Sequence, residues 1–294
     1  MKSKIESEIR SEMKAETPQA QNSNRSTPPD LSSDYALESA DIEGYRANGH
    51  TLLRGVCSPD EVAVYRDILN QAAYRYNTQT RPLEERDTYG KAFLQIGNLW
   101  MLDDAVRPFT LARRFARIAA DLMGVDAVRL YHDQALYKEA GGGPTPWHQD
   151  QYYWPLDTDK TVTMWMPLVD VPIETGALTF ASGSNKGGLL GHLAISDESQ
   201  ETWGQLVEDR GYAVVNAAMQ AGDATFHSGW TLHTAPGNSG TKTREVMTII
   251  YYADGTRALE PDNPNRQNDL EAWLPGVKPG DPAVSELNPL LYSR

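Results

Sequence analysis

The 294-residue chain contains one cysteine, Cys57, and six histidines, and its 27 Lys and Arg stand against 40 Asp and Glu. Each shortage excludes something. A single cysteine rules out an internal disulfide, a cysteine-rich zinc site and an iron–sulfur cluster. The formal net charge of −13 argues against nucleic-acid or anionic-membrane partners, both of which need a basic surface. No window approaches the roughly 18 consecutive apolar residues of a transmembrane helix. The start has no apolar stretch of the signal-peptide kind, so a cytoplasmic protein is expected. A transition-metal site would have to draw on His50, His132, His148, His192, His227 and His233 together with carboxylates. The rest of the composition, 40% hydrophobic and 23% charged, is that of a globular chain.

Residues 1–35 read as a disordered tail. Its first half alternates Lys, Arg and Glu, and its second half is Ser, Asn, Pro, Gln and Thr, too polar to offset the entropy of ordering. Residues 36–294 read as a single domain. A short helix is expected over 41–48 and a strand over 51–56. Ser58-Pro59-Asp60-Glu61 is a helix start, with Ser58 as cap, Pro59 in the first turn and Glu61 reaching back, and the helix should run to about Tyr76. Leu111, Phe115, Ile118, Ala119 and Leu122 mark a second helix, stopped by Gly124. Beyond it the period shortens. Strand-like runs at 128–137, 161–169, 177–180, 214–216, 223–227 and 244–253 are cut by Gly, Pro, Asn and Asp clusters, with one helical insert at 198–210. These runs are too close for parallel crossovers, so a mainly β fold with flanking helices and an antiparallel sandwich or jelly-roll core is expected. From Leu259, six of the 18 prolines predict an extended segment wrapping the surface.

Two segments carry the chemistry. In Pro146-Trp147-His148-Gln149-Asp150, His and Asp two apart on a strand point to the same face. Such a pair is common on protein surfaces, and metal binding stands beside that reading. The second segment, Gly222-Asp223-Ala224-Thr225-Phe226-His227-Ser228-Gly229-Trp230-Thr231-Leu232-His233, supplies a distal histidine. Two imidazoles and one carboxylate on one face of an octahedron leave three positions, as a non-haem Fe(II) oxygenase requires. Arg244 opens a buried strand, where a guanidinium has a desolvation problem unless it meets an anion.

In this order and spacing, the motifs resemble the phytanoyl-CoA dioxygenase family of Fe(II)- and 2-oxoglutarate-dependent oxygenases. They are His-x-Asp, the Gly-Asp…Phe-His…His segment, an Arg eleven residues after the last His, and Gly176-Ala177-Leu178 followed by Ser182-Gly183-Ser184-Asn185-Lys186. The resemblance runs from about Asp41 to the C-terminus. It implies a double-stranded β-helix (jelly-roll or cupin-like) core, with His148, Asp150 and His233 as iron ligands. It implies Arg244 as partner of the distal carboxylate of 2-oxoglutarate, and Gln134 and Trp165 as further pocket residues. Gln95 stands where some relatives have a pocket Lys. Relatives often have a Ser donor where this chain has Ala235, so that hydrogen bond is expected either to be lost or to be supplied by Thr234 or Thr163. The carboxylate of Asp150 occupies the position that related halogenases leave open for halide. The implied reaction consumes O2 and 2-oxoglutarate, with ascorbate in support, and hydroxylates a small-molecule metabolite; desaturation, ring closure or epimerisation are variants.

Other readings stay open on the residues alone. A jelly-roll metalloenzyme without 2-oxoglutarate would need a protein carboxylate opposite Arg244, and a non-catalytic module would not need the triad. His227 and His233 compete as ligands, but Gly229 between them should break the strand, and His227 reads as a structural histidine. His132 and Gln134 share a strand face. Tyr152-Tyr153-Trp154 reads equally as a substrate wall or as core. Trp100 and Met101 read as a lid, and Gly141-Gly142-Gly143 as a mobile loop or a simple turn.

Overall fold

The computed structural model describes residues 27–294. Most of the tail predicted for residues 1–35 lies outside them. The part that is described does not behave as a tail. Leu31 is buried in the main core, Tyr65 donates its hydroxyl to the Pro29 carbonyl, and the Arg114 guanidinium grips Ser33.

Helices come first, as the pattern requires. α1 (Ser39–Asn48) begins with a capping box between Glu38 and Asp41. α2 (Pro59–Tyr76) begins at the expected box, in which the Glu61 amide donates to Ser58 Oγ at 3.2 Å and the Ser58 amide to Glu61 Oε2 at 2.8 Å. α3 (Arg113–Met123) buries Phe115, Ile118, Ala119 and Leu122 on one face. It ends at Gly124, whose φ of 70° is the left-handed conformation a glycine adopts without strain.

Eleven strands follow or interleave among the described residues: β1 (His50–Leu53), β2 (Leu94–Gly97), β3 (Ala127–Tyr137), β4 (Thr145–His148), β5 (Thr161–Pro167), β6 (Thr179–Ser182), β7 (Ala213–Asn216), β8 (Ala224–Ser228), β9 (His233–Ala235), β10 (Val246–Ala253) and β11 (Leu290–Ser293). The larger sheet runs β1-β8-β5-β10-β3-β11 with β2 beside β3, and the smaller runs β4-β9-β6-β7. The pairings given by register are antiparallel throughout. This is a jelly-roll sandwich flanked by helices.

Strand alternation decides what faces what. On β5, Val162, Met164 and Met166 join the helices in the main core, while Thr163 and Trp165 face the other way, toward the cavity between the sheets. On β10, Met247, Ile249 and Tyr251 go to the core and Thr248 and Ile250 to the cavity. The smaller sheet is backed by α4 (Asp197–Arg210), whose Trp203 and Val207 pack on Trp147, Ala181 and Leu232.

The segment after Leu259 departs from expectation. It holds a helix, α5 (Pro264–Trp273), because Asn263 accepts from the amides of Asn265 and Arg266, and Pro264 suits the first turn. Its Leu270 packs with Leu274 against Tyr131 and Trp154. None of the helices among the described residues is long and apolar enough to cross a membrane.

Candidate metal centre and cavity

A cavity of about 300 Å³ opens between the two sheets. His148 and His233 meet there as register partners on β4 and β9, with ring centroids 4.0 Å apart. Asp150 lies just past the end of β4, as the first residue of a short helical turn. The extended backbone therefore continues through Gln149, which keeps Asp150 on the side of His148, and the chain turns at Asp150. Gln149 between them is extended and points away, donating to the carbonyls of Gly188 and Trp230 and accepting from the Leu190 amide. That anchor fixes where the chain turns.

The ligand atoms of His148, Asp150 and His233 all lie within 4.8 Å of one another. Both imidazoles are pinned through Nδ1, to the Pro146 carbonyl at 2.8 Å and to the Thr231 carbonyl at 3.0 Å. Each Nε2 is thereby left as a neutral donor to a metal. Nε2 of His148 and of His233 approach Asp150 Oδ1 at 3.4 and 3.6 Å. The other oxygen, Oδ2, accepts from the Thr163 hydroxyl at 2.9 Å and lies 3.3 Å from His227 Nε2. One carboxylate oxygen faces the two imidazoles and the other is tied back. Burial alone would raise the Asp150 carboxyl, but the surrounding His233, His148 and His227 hold it well below the usual range. The set fits an Fe(II) site in ligand type and grouping.

The structure also brings His227 to this site, although in the sequence it reads as a structural histidine. It sits on β8, not on the strand of His233, so the expected break at Gly229 is present. The two sheets nevertheless return the rings to 4.5 Å of each other. No local spacing signals that convergence. His50 stacks on Phe180 and contacts Ser182 away from the cavity wall.

Arg244 is 3% exposed. It donates Nη1 to the Gly176 carbonyl at 2.6 Å and Nη2 to the Leu136 carbonyl at 3.3 Å, and its Cζ lies 5.1 Å from the Trp165 ring centre. Its Nε is buried without a partner, and among the described residues it forms no salt bridge. Burial lowers it to about 9, still cationic at neutral pH. A side chain on Gly176, at φ 96°, would crowd this guanidinium at 3.2 Å. Lys138 is fully buried nearby, held by the Gly143 carbonyl and Thr145 Oγ1, and burial, with Arg244 beside it, takes it down to about 6.

Gln134, Trp165, Gln95 and Thr163 all line the cavity. The Tyr89 hydroxyl donates to Gln95 at 2.7 Å. The Thr163 and Thr234 hydroxyls donate to Asp150 and to the Thr145 carbonyl, which favours the first alternative at Ala235, a lost hydrogen bond. Tyr153 and Trp154 line the cavity; Tyr152 does not, and accepts from Asn265. Trp100 and Met101 form no lid. Trp100 is buried in the main core and Met101 points outward. Gly141-Gly142-Gly143 is a turn, outside the cavity lining.

The fold, the buried triad and the isolated arginine define a non-haem iron oxygenase scaffold. The chain belongs to the phytanoyl-CoA dioxygenase family of Fe(II)/2-oxoglutarate-dependent oxygenases, whose sequence model matches residues 45–246. A relative from Stutzerimonas stutzeri, a probable alpha-ketoglutarate-dependent hypophosphite dioxygenase, is 23% identical over 221 residues, 71% of this chain and 76% of its own length. The non-haem alpha ketoglutarate dependent carbocyclase SnoK of nogalamycin biosynthesis superposes with a TM-score of 0.72 at 23% identity, covering 90% of this chain and 99% of SnoK. The epimerase SnoN, in complex with Fe3+, alpha ketoglutarate and nogalamycin RO, superposes with a TM-score of 0.66 at 26% identity, covering 85% and 97%.

Proposed function

We propose that the chain hydroxylates a C–H bond of a small-molecule metabolite in the cytoplasm, with His148, Asp150 and His233 holding Fe(II) and Arg244 holding the distal carboxylate of 2-oxoglutarate. The carrying observation is the pairing of two features in one cavity: a converged His-Asp-His set, and a buried guanidinium that no carboxylate among the described residues pairs with. The second feature disfavours a jelly-roll enzyme that dispenses with the co-substrate.

When bound, Fe(II) with 2-oxoglutarate and O2 supplies an oxidant that takes hydrogen from an unactivated C–H bond, with succinate and CO2 released. The protein's part is to hold and to orient. His148 and His233 offer Nε2 in a fixed tautomer because their Nδ1 protons are committed to carbonyls. Asp150 presents Oδ1 while Thr163 and His227 secure Oδ2. Arg244, braced by Gly176, Leu136 and Trp165, aims a charge-assisted contact at the far end of the co-substrate. Gln134 and Gln95 supply polar atoms to the same space, and Tyr153 and Trp154 keep it dry.

Purified protein with Fe(II), 2-oxoglutarate, ascorbate and O2 is expected to release succinate slowly without a substrate, and faster with the right metabolite in a panel. A product heavier by one oxygen indicates hydroxylation. The 26% identity to SnoN favours one second outcome, delivery of a hydrogen atom to the opposite face with the two electrons and two protons overall supplied by ascorbate, which gives an epimer of unchanged mass. Absence of succinate formation with Fe(II) bound overturns the reading.

Thr163→Val tests the support of Asp150. Partners that orient a metal ligand typically account for about 10–100-fold in metal affinity. The Fe(II) concentration for half-maximal turnover should rise by at least ~10-fold, with turnover largely restored at saturating metal. An unchanged metal requirement removes Thr163 from this role.

A further inference from the structure

One acidic side chain on the cavity wall has no part in the chemistry above. Asp269, on α5, lines the cavity. Its carboxylate accepts from two neutral donors, the Tyr131 hydroxyl at 3.3 Å and the Trp273 indole. Among the described residues no Lys, Arg or His makes a salt bridge to it, and the arginine of its own helix, Arg266, pairs with Asp262 instead.

A buried carboxylate with a structural task looks different in this same protein. Asp133 accepts from the amides of Leu99 and Trp100 and from the Thr110 hydroxyl at the start of a helical turn, outside the cavity lining, and burial raises it only to about 6. Asp269 faces a cavity, and burial pushes its carboxyl up to about 8, the response of an acid that lacks a cation. The walls around it are aromatic: Tyr89, Phe93, Tyr153, Trp154 and Trp273. His132, its ring tilted against Trp273 with centroids 4.6 Å apart, lines the same cavity and leaves Nδ1 buried without a partner.

Charge accounting points the same way. A divalent iron, ionised Asp150, cationic Arg244 and a dianionic co-substrate sum to zero. Asp269 is then the one acid of the cavity lining left without a counter-charge: it holds its proton at neutral pH while nothing positive is near, and a bound cation draws it into the ionised form. An acid that shares a cavity with several aromatic side chains is suited to an organic cation, whose charge ionises and meets the carboxylate while its alkyl groups pack on the rings.

We propose that Asp269 and the aromatic walls around it form a recognition site for an organic ammonium group, and that the metabolite oxidised here carries an amine. The site stands on its own geometry; that its occupant is the substrate rests on the function proposed above.

The test uses three probes of one shape: benzylammonium, neutral benzyl alcohol and anionic benzoate. Their binding to full-length protein loaded anaerobically with Fe(II) and 2-oxoglutarate is followed by tryptophan fluorescence and ligand-observed NMR. Benzylammonium should bind wild type at least tenfold more tightly than benzyl alcohol, and benzoate more weakly than either. Asp269→Asn should abolish that tenfold preference, and Asp269→Glu should retain part of it, with thermal melts reporting folding of both. If wild type shows no preference for the cation, weak or undetectable binding included, or if a folded Asp269→Asn keeps the full preference, the proposal is overturned. Succinate release by wild type is measured in parallel. Cation selectivity without succinate release disproves the oxygenase reading and leaves the cation site. Succinate release without cation selectivity does the reverse.

Discussion

Asp150→Ala is expected to lower the substrate-independent conversion of 2-oxoglutarate to succinate by more than ~100-fold, because removing even the partners that merely orient a ligand typically reduces metal affinity or activity by about 10–100-fold. The substitution takes away the only carboxylate in the triad. Nε2 of His148 and His233, which now approach Asp150 Oδ1 at 3.4 and 3.6 Å, would converge on no negative charge. It also leaves the Thr163 hydroxyl and His227 Nε2 without their acceptor. Metal content after Fe(II) loading, measured by elemental analysis, should fall with turnover while the far-ultraviolet circular dichroism spectrum stays that of the wild type. Retained iron and undiminished succinate release would remove Asp150 from the centre. His148→Ala is expected to act in the same direction.

Arg244→Ala is expected to raise the 2-oxoglutarate concentration needed for half-maximal turnover by roughly 30–5000-fold. Truncating one partner of a buried charge pair costs about 2–5 kcal/mol, and each factor of ten corresponds to about 1.4 kcal/mol. Arg244 is 3% exposed and cationic at neutral pH, and no carboxylate among the described residues pairs with it. Part of any loss comes from packing, since the Gly176 and Leu136 carbonyls lose their donor as well. Arg244→Lys separates the two effects: it keeps a charge but not the planar fork, and should fall between wild type and Ala. Anaerobic binding of 2-oxoglutarate gives the readout free of turnover. A half-saturation unchanged in a folded Arg244→Ala protein would mean that the co-substrate, if it binds, is anchored elsewhere.

Much of this was legible in the chain. The capping box at Ser58 and the stop at Gly124 are local events, governed by a few neighbouring residues, and they appear where local chemistry puts them. Strand alternation likewise separates Met164 from Trp165 with no reference to the rest of the fold. What failed depended on distance. Thr163 reads in sequence as a free hydroxyl, but its proton belongs to a carboxylate thirteen residues earlier. Trp100 looks like a lid residue and is buried, because the larger sheet and the helices close over it. The proline count after Leu259 suggests extended chain, but Asn263 and Pro264 start a helix whose C-terminal half packs against the cavity's outer aromatic cluster.

The sequence by itself determined the class of site. In their order, the motifs around His148, Asp150, His233 and Arg244 resemble those of the phytanoyl-CoA dioxygenase family, and six histidines with a single cysteine leave oxygen and nitrogen as the ligands available in number. Tertiary structure alone decided the surroundings: His227 behind Asp150, Arg244 braced on Gly176, and Asp269 facing the cavity from a helix more than a hundred residues beyond the first ligand. The physical reason is that ligand type and strand face are properties of a residue and its immediate neighbours. Which side chains share a buried space is fixed only when two sheets close on each other, and it is that shared burial that sets their charges and their partners.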